Sequence, residues 1–127
     1  MKIAVIAHDG KKAEMVAFLN RHMDFLKSVN TDIVATGTTG KYAQQAGLEV
    51  ERLLSGPLGG DAQIAALVAE GKIRMVIFFR DPLGKHPHEP DVQMLMRVCD
   101  VHNVPIATNP AAAELMLHGF LDSFSDK

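Results

Sequence analysis

The sequence predicts one α/β domain over residues 1–127, a three-layer α/β/α sandwich around a five-stranded, mainly parallel sheet. Short apolar runs alternate with segments of helical periodicity along the whole chain. Polar, glycine-rich segments follow several of these runs, as ligand-binding loops do at the carboxyl ends of parallel strands. With 127 residues, 47% of them apolar, the chain has the size of one domain with a core and leaves no room for a second.

The first half of the chain predicts three strands and one long helix. Residues 3–7 form an apolar run that ends at His8, and the runs 33–35 and 50–54 predict the next two strands. Between the first two runs, apolar positions recur at helical spacing and predict one long amphipathic helix: Met15, Phe18, Leu19, His22, Met23 and Leu26.

The second half predicts two more strands, at 75–79 and 104–107, separated by helices. Asp61 opens a helix whose apolar residues lie within 64–68. Cys99 shares an apolar helical stripe with Val92 and Leu95, so we expect its thiol to be buried and inert. Asn109-Pro110 supplies an N-cap and a first-turn proline for the last helix.

Charge and cysteine content exclude several classes of protein. The net charge of −2 argues against a nucleic-acid binder, which normally carries a concentrated basic face. One cysteine allows no intrachain disulfide. The apolar run at 3–7 is too short for a signal peptide, so we expect a cytoplasmic protein without membrane contact.

Two segments at strand ends have the composition of phosphate-binding loops. The first cradle is residues 35–40, Ala-Thr-Gly-Thr-Thr-Gly, and the second cradle is residues 55–61, Ser-Gly-Pro-Leu-Gly-Gly-Asp. Glycines let backbone N–H groups approach an anion, hydroxyls add donors, and the following helix N-terminus adds partial positive charge. A carboxylate does not help to bind phosphate, so Asp61 at the end of the second cradle indicates proton transfer on a small phosphorylated metabolite.

The segment 80–91 is long for a strand-to-helix connection and is stiffened by three prolines. It contains histidines and carboxylates, and His8, Asp9 and Asp61 are expected at the same edge of the sheet. Such a set contains a base, an electrophile and their orienting partners, which are the groups needed to enolise a carbonyl compound.

These motifs resemble the methylglyoxal synthase family across nearly the whole chain. The family's marks are present in order, at residues 7–9 (Ala-His-Asp), 36–40, 54–61, 81–83 (Asp-Pro-Leu), 87–91 (Pro-His-Glu-Pro-Asp) and 107–109. The resemblance implies a Rossmann-like fold and a lyase of the glycolytic bypass that converts dihydroxyacetone phosphate to methylglyoxal and inorganic phosphate. It also implies no metal or organic cofactor, a homohexamer, and phosphate as a candidate inhibitor.

Carried over position by position, the resemblance makes Asp61 the catalytic carboxylate that takes a proton from the hydroxymethyl carbon. His88 and His8 match histidines that contact the oxygens of the substrate. Neutral imidazoles would polarise the oxygens that gain negative charge.

Supporting and phosphate-binding roles come from the same resemblance. Asp81 and Asp91 match acidic positions of the family's active-site region and are assigned support and orientation, with Asp9 a weaker member. The family's phosphate-binding positions match Lys12, Thr36, Gly37, Thr38, Thr39, Ser55 and Gly56. We expect the two cradles to hold the C–O bond to phosphate out of the enediolate plane, because that orientation permits elimination of phosphate.

Several of these residues have a structural alternative. Asp61 and Asp9 could each cap the helix that follows, a contribution of about 1 kcal/mol. Asp91, after Pro90, could complement a helix dipole as well as support catalysis. Arg80 stands at a position often aromatic in the family and could line the pocket mouth or face a neighbouring subunit.

Two other functions compete with the enzyme. A non-catalytic phosphometabolite-sensing domain of the same fold would keep the cradles and lose the acid–base residues, whereas Asp61, His88 and Asp91 are all present. A dinucleotide-binding domain is excluded because residues 7–12 read Ala-His-Asp-Gly-Lys-Lys and contain no Gly-x-Gly-x-x-Gly.

Overall fold

A computed structural model describes residues 2–28, 32–84 and 89–125, with side chains up to Phe120. The strands within these residues are β1 (Lys2–Ala7), β2 (Asp32–Thr36), β3 (Val50–Leu53), β4 (Ile73–Phe79) and β5 (Ile106–Ala107). The helices are α1 (Lys12–Arg21), α2 (Met23–Ser28), α3 (Gly37–Gln45), α4 (Gly60–Ala69), α5 (Glu89–Val101) and α6 (Pro110–Ser125). Short 3-10 turns precede α1 and α4.

The strands pair in the order β3-β2-β1-β4-β5, and every pair is parallel. Ile3 pairs with Ile33 on one side of the sheet centre, and Ile77 pairs with Ala107 at the other edge. The predicted strands are confirmed, with ends displaced by one or two residues. The last begins at Ile106, later than predicted, because Pro105 has no N–H to donate to a neighbouring strand. The Pro105 carbonyl still accepts the Val76 N–H at 2.9 Å.

Helices cover both faces of the sheet, which confirms the predicted three-layer sandwich. Because successive strand residues point to opposite faces, Ile3 and Val5 belong to one buried cluster while Ala4 and Ile6 belong to another. The first cluster contains residues of α1, α2, α3 and α6, and the second contains residues of α4 and α5.

The prediction of one long helix over residues 15–26 is wrong, because the helix breaks at His22. The His22 backbone N–H is shared between the carbonyls of Phe18 and Leu19, each 3.3 Å away. Its ring Nε2 lies 2.8 Å from Glu114 Oε2 on α6. Hydrogen bonds from His22 and from Arg21 hold the pKa of Glu114 below its usual range. The periodicity was correctly identified, since Phe18, Leu19 and Leu26 share one buried cluster.

Two local predictions about the second half of the chain are confirmed. Asn109 Oδ1 accepts the backbone N–H of Ala112 at 2.9 Å, and Pro110 is the first residue of α6. Cys99 is fully buried, and burial raises the pKa of its thiol to about 11, so the reactive thiolate is scarce at neutral pH. No helix in the described part of the chain has the length and hydropathy needed to cross a bilayer.

Candidate active site

The predicted functional segments lie at one edge of the sheet, because all the described strands run the same way. The first cradle follows β2, the second follows β3, and Asp81 follows β4. From β1, the chain places β2 and β3 on one side of the sheet and then returns to place β4 and β5 on the other side, so that β1 and β4 are neighbours. This is the topological switch point, where open α/β sheets bind ligands, and His8 and Asp81 lie there.

His8 is buried and held in one orientation. The backbone N–H of Asp81 donates to its Nδ1 at 2.9 Å, and the ring packs edge-on against Phe78 with centroids 5.1 Å apart. Its own backbone N–H donates to the Phe79 carbonyl at 3.1 Å. Because Nδ1 accepts a bond, the neutral ring carries its proton on Nε2 and can donate it to an oxygen.

Asp81 shapes the start of the connection after β4. Its Oδ1 accepts the backbone N–H groups of Leu83 at 3.1 Å and Gly84 at 3.2 Å, an arrangement that stabilises a tight turn. Its Oδ2 lies against the loop after β1, where a Cβ atom on Gly10 would be 3.2 Å away. Asp81 therefore joins the two loops at the switch point.

The first cradle is the beginning of α3. The helix starts at Gly37, and its N-cap, Thr36, makes no side-chain capping bond. Thr39, in the first turn, is 3% exposed, and its Oγ1 has no hydrogen-bond partner within the described ranges. Thr38 is exposed. The N-terminus of α3 thus combines helix N–H groups with a buried, unsatisfied hydroxyl, which is a suitable arrangement for an anion.

The second cradle is a tight turn followed by the beginning of α4. The Ser55 carbonyl accepts the N–H groups of Leu58 at 3.0 Å and Gly60 at 2.9 Å, and Gly56 begins the 3-10 turn between them. The two cradles touch, because a Cβ atom on Gly37 would lie 2.8 Å from Ser55 Cα. Gly37 is therefore required by this close approach.

Asp61 lies in the first turn of α4 and has 0% exposed surface. The interpretation of Asp61 as an N-cap is wrong, because Gly59 occupies that position with a φ of 108° that favours glycine. The preceding residue, Gly60, packs closely against Leu54, just before the second cradle, and against Thr36 of the first cradle. A Cβ atom there would lie 2.0 Å from the Leu54 carbonyl oxygen and 2.8 Å from Thr36 Cγ2.

Other predicted site residues are arranged around this centre. Lys12, the first residue of α1, forms an ion pair with Asp9, whose side chain is 98% exposed. Asp9 begins a 3-10 turn and caps neither that turn nor α1, so the capping prediction for it is wrong. Asp91 is half-buried in the first turn of α5. His88 lies outside the described residues.

Three features of this edge were not predicted from the sequence. Gln63 Oε1 accepts the backbone N–H of Leu54 at 2.8 Å and so fixes the entry to the second cradle. Packing leaves no room for a side chain at position 60. The consecutive glycines at 59–60 are the feature of the sequence that could have indicated this. Arg80 binds Glu89 and Met96 on α5, and the spacing of these residues in the sequence does not predict either contact.

Among the clefts that border the described fold are two at opposite ends of the sheet, and neither is lined by Asp61 or the cradles. One, of about 380 Å³, lies beside the site between the ends of β4 and β5, and Lys11 and Arg80 contribute to its wall. The other, of about 530 Å³, lies at the opposite end of the sheet, where Ile73 and Val104 contribute. No group of three or more potential metal-ligating His, Cys, Asp or Glu residues occurs in the described ranges.

Comparisons with known proteins agree on one family. A family model described as an MGS-like domain matches residues 15–108. Methylglyoxal synthase of Carboxydothermus hydrogenoformans is 59% identical over 118 residues, which is 92% of this chain and 96% of the relative. Methylglyoxal synthase of Thermus thermophilus is 62% identical over 116 residues, 91% and 90% of the two chains. A crystal structure of methylglyoxal synthase from Elizabethkingia anophelis superposes with a TM-score of 0.82 at 43% identity, covering 91% of this chain and 76% of that one.

Proposed function

The chain belongs to the methylglyoxal synthase family, and from this premise we propose that it is a carbon–oxygen lyase that converts dihydroxyacetone phosphate to methylglyoxal and inorganic phosphate. The observation that carries the proposal is the meeting of two anion-binding cradles with a buried carboxylate, Asp61, at one edge of the sheet. Phosphate binding and proton abstraction are the two requirements of this reaction.

The reaction begins when Asp61 takes a proton from the hydroxymethyl carbon, and the C–H electron pair becomes the double bond of an enediolate. His8, with its ring proton on Nε2, donates to the oxygen that gains negative charge. His88 is proposed for a similar role on the resemblance alone. Because Asp61 has no exposed surface, the wall around it must move as substrate enters.

The second step expels phosphate. An enediolate oxygen re-forms a carbonyl, the carbon–carbon double bond shifts toward the phosphate-bearing carbon, and the C–O bond to phosphate breaks with its electron pair leaving on phosphate. The neutral enol aldehyde that remains gains a proton at its methylene carbon and loses its hydroxyl proton, which gives methylglyoxal. The elimination requires the breaking C–O bond to stand out of the enediolate plane. Because Gly37 and Ser55 lie in contact, the two cradles can act together on one phosphate group and hold that orientation.

The first cradle supplies a specific phosphate contact. A buried hydroxyl without a partner costs about 1–3 kcal/mol, and a phosphate oxygen beside α3 would satisfy Thr39 Oγ1. Lys12 would add positive charge, although in this structure it is paired with Asp9. Thr36, Thr38, Ser55 and Gly56 are proposed as further phosphate contacts.

The direct test is to incubate the purified chain with dihydroxyacetone phosphate, trap the dicarbonyl product and measure released phosphate. Equal amounts of methylglyoxal and phosphate are expected. Binding of substrate without release of either product would instead support the non-catalytic sensor. The comparisons favour the enzyme, because the relatives cover nearly the same length and are named for the activity.

Replacing Thr39 by Val should raise KM for dihydroxyacetone phosphate about 10- to 100-fold, because a hydrogen bond to a charged group is lost. Folding should be unimpaired, since the hydroxyl has no partner in the described protein. The matched control is Ser28→Ala, which removes an exposed hydroxyl bonded to the Phe25 carbonyl on α2. Steady-state kinetics and phosphate titration measure both; an unchanged KM in Thr39→Val would remove this hydroxyl from the phosphate site.

The proposal extends to assembly and location. We propose a homohexamer that acts in the cytoplasm on a free metabolite, with phosphate as both product and inhibitor. Light scattering coupled to size-exclusion chromatography gives the number of chains, and a monomer at working concentrations would contradict the proposed assembly.

A further inference from the structure

The Arg80 side chain connects the end of β4 to the first turn of α5. It is the first residue after β4, and its guanidinium Nη2 lies 3.0 Å from Glu89 Oε1, on the first residue of α5. Its Nη1 lies 3.4 Å from Met96 Sδ, about two turns further along α5. One planar side chain thus contacts α5 at two points, from the end of β4.

The backbone around Arg80 is anchored to the segments that follow β5 and β1, the two neighbours of β4. The Arg80 N–H donates to the Thr108 carbonyl at 3.4 Å, and the next N–H, of Asp81, donates to His8 Nδ1 at 2.9 Å. Asp91 lies on α5 in the same first turn as Glu89. The guanidinium therefore links the segment that orients His8 to the helix that carries Asp91.

We infer that Arg80 is a positioning residue of the reaction: its bond to Glu89 holds the first turn of α5, with Asp91, at a fixed distance from Asp81 and His8. The inference rests on the proposed function. Arg80 is suited to this role because its side chain is only 26% exposed and its guanidinium offers donors in a fixed, planar arrangement. Small displacements of catalytic groups reduce turnover strongly, so a contact remote from substrate can control kcat.

The position of Arg80 allows a positioning role to be distinguished from direct contact with substrate. Within residues 2–28, 32–84 and 89–120, the guanidinium contacts are to α5. The cradles proposed to bind phosphate follow β2 and β3, on the other side of β1 from β4. Loss of the guanidinium should therefore reduce kcat and leave phosphate affinity unchanged. A direct anion contact would instead raise KM and weaken phosphate binding.

The first test is Arg80→Met, which keeps an unbranched apolar side chain and removes the charge. We expect kcat to fall about tenfold, with KM and the phosphate inhibition constant changed by less than about twofold. Arg80→Lys should recover part of the loss. Arg97→Met, which removes an exposed guanidinium from α5, is the matched control and should retain full activity.

The second test is a double-mutant cycle with Glu89→Gln. If Arg80 acts through Glu89, the single variants lose kcat and the double variant is no worse than Arg80→Met alone. Full activity in Glu89→Gln, or a rise in KM without loss of kcat in Arg80→Met, overturns the inference. Should Arg80→Met not fold, Glu89→Gln decides alone, because a folded Glu89→Gln protein with unchanged kcat contradicts positioning.

Amide hydrogen exchange tests the role of Arg80 independently of the proposed function, because it does not require activity. Wild-type protein that makes no methylglyoxal refutes the function, yet the link between β4 and α5 can still be measured. We expect amides of residues 92–95 to exchange at least about fivefold faster in Arg80→Met than in wild type, with no change in Arg97→Met. Unchanged exchange would show that Arg80 does not hold this end of α5.

Discussion

Replacing Asp61 by Asn should lower kcat for methylglyoxal formation by roughly 10²–10⁴-fold, the usual contribution of a general base. The amide has nearly the shape of the carboxylate but cannot accept a proton from carbon. Phosphate binding should persist, because Asp61 is not one of the proposed phosphate contacts. Stability should not fall, because the uncharged amide is easier to bury than a carboxylate. Product assays with phosphate titration and thermal unfolding measure these three quantities.

Asp24→Asn is the matched control for that substitution, because Asp24 is an exposed carboxylate on α2. It should have wild-type activity and stability. If Asp61→Asn kept more than about a tenth of wild-type turnover, Asp61 would not be the base, and a carboxylate such as Asp91 would take its place.

Replacing Gly60 by Ala should destabilise the fold by at least about 3 kcal/mol. The added methyl group would lie 2.0 Å from the Leu54 carbonyl oxygen, and a backbone atom cannot move aside as a flexible side chain can. Relief requires a shift of the start of α4 away from Leu54, which would displace Asp61. We therefore expect the variant, where it still folds, to lose activity together with stability in denaturant unfolding experiments.

Gly119→Ala makes the same chemical change at a helical glycine with open space around it. It should be neutral or stabilise by up to about 1 kcal/mol, since alanine favours helix. Equal stability of Gly60→Ala and wild type would mean that the two cradles can separate at little cost.

Strand positions could be predicted from this sequence because β1 and β4 are apolar except for Lys2 and Arg74 and are bounded by polar residues. The break at His22 could not, because it coincides with a tertiary contact to Glu114, distant in sequence. Periodicity reports which face of a helix is buried and is insensitive to a local change of direction.

The candidate site was predictable to the extent that motifs and strand ends determine it. Parallel pairing brings His8, Asp81 and the cradles to one edge, as expected from the alternation of strands and helices. The sequence could not distinguish capping from burial for Asp61, because both place a carboxylate at the start of a helix. The sequence also could not distinguish the supporting role of Asp9 from that of Asp81, because their different exposure depends on how two loops pack.

Because β1 lies at the centre of the sheet, the sheet cannot be completed until residues far along the chain have been synthesised. β2 can pair with one edge of β1 once residue 36 has left the ribosome, but β4 can pair with the other edge of β1 only after residue 79 has emerged. During that interval the free edge of an apolar strand is open to pairing with other chains. We therefore expect nascent chains of intermediate length to be the species most prone to aggregation, and the full-length chain to be protected by its own fourth strand.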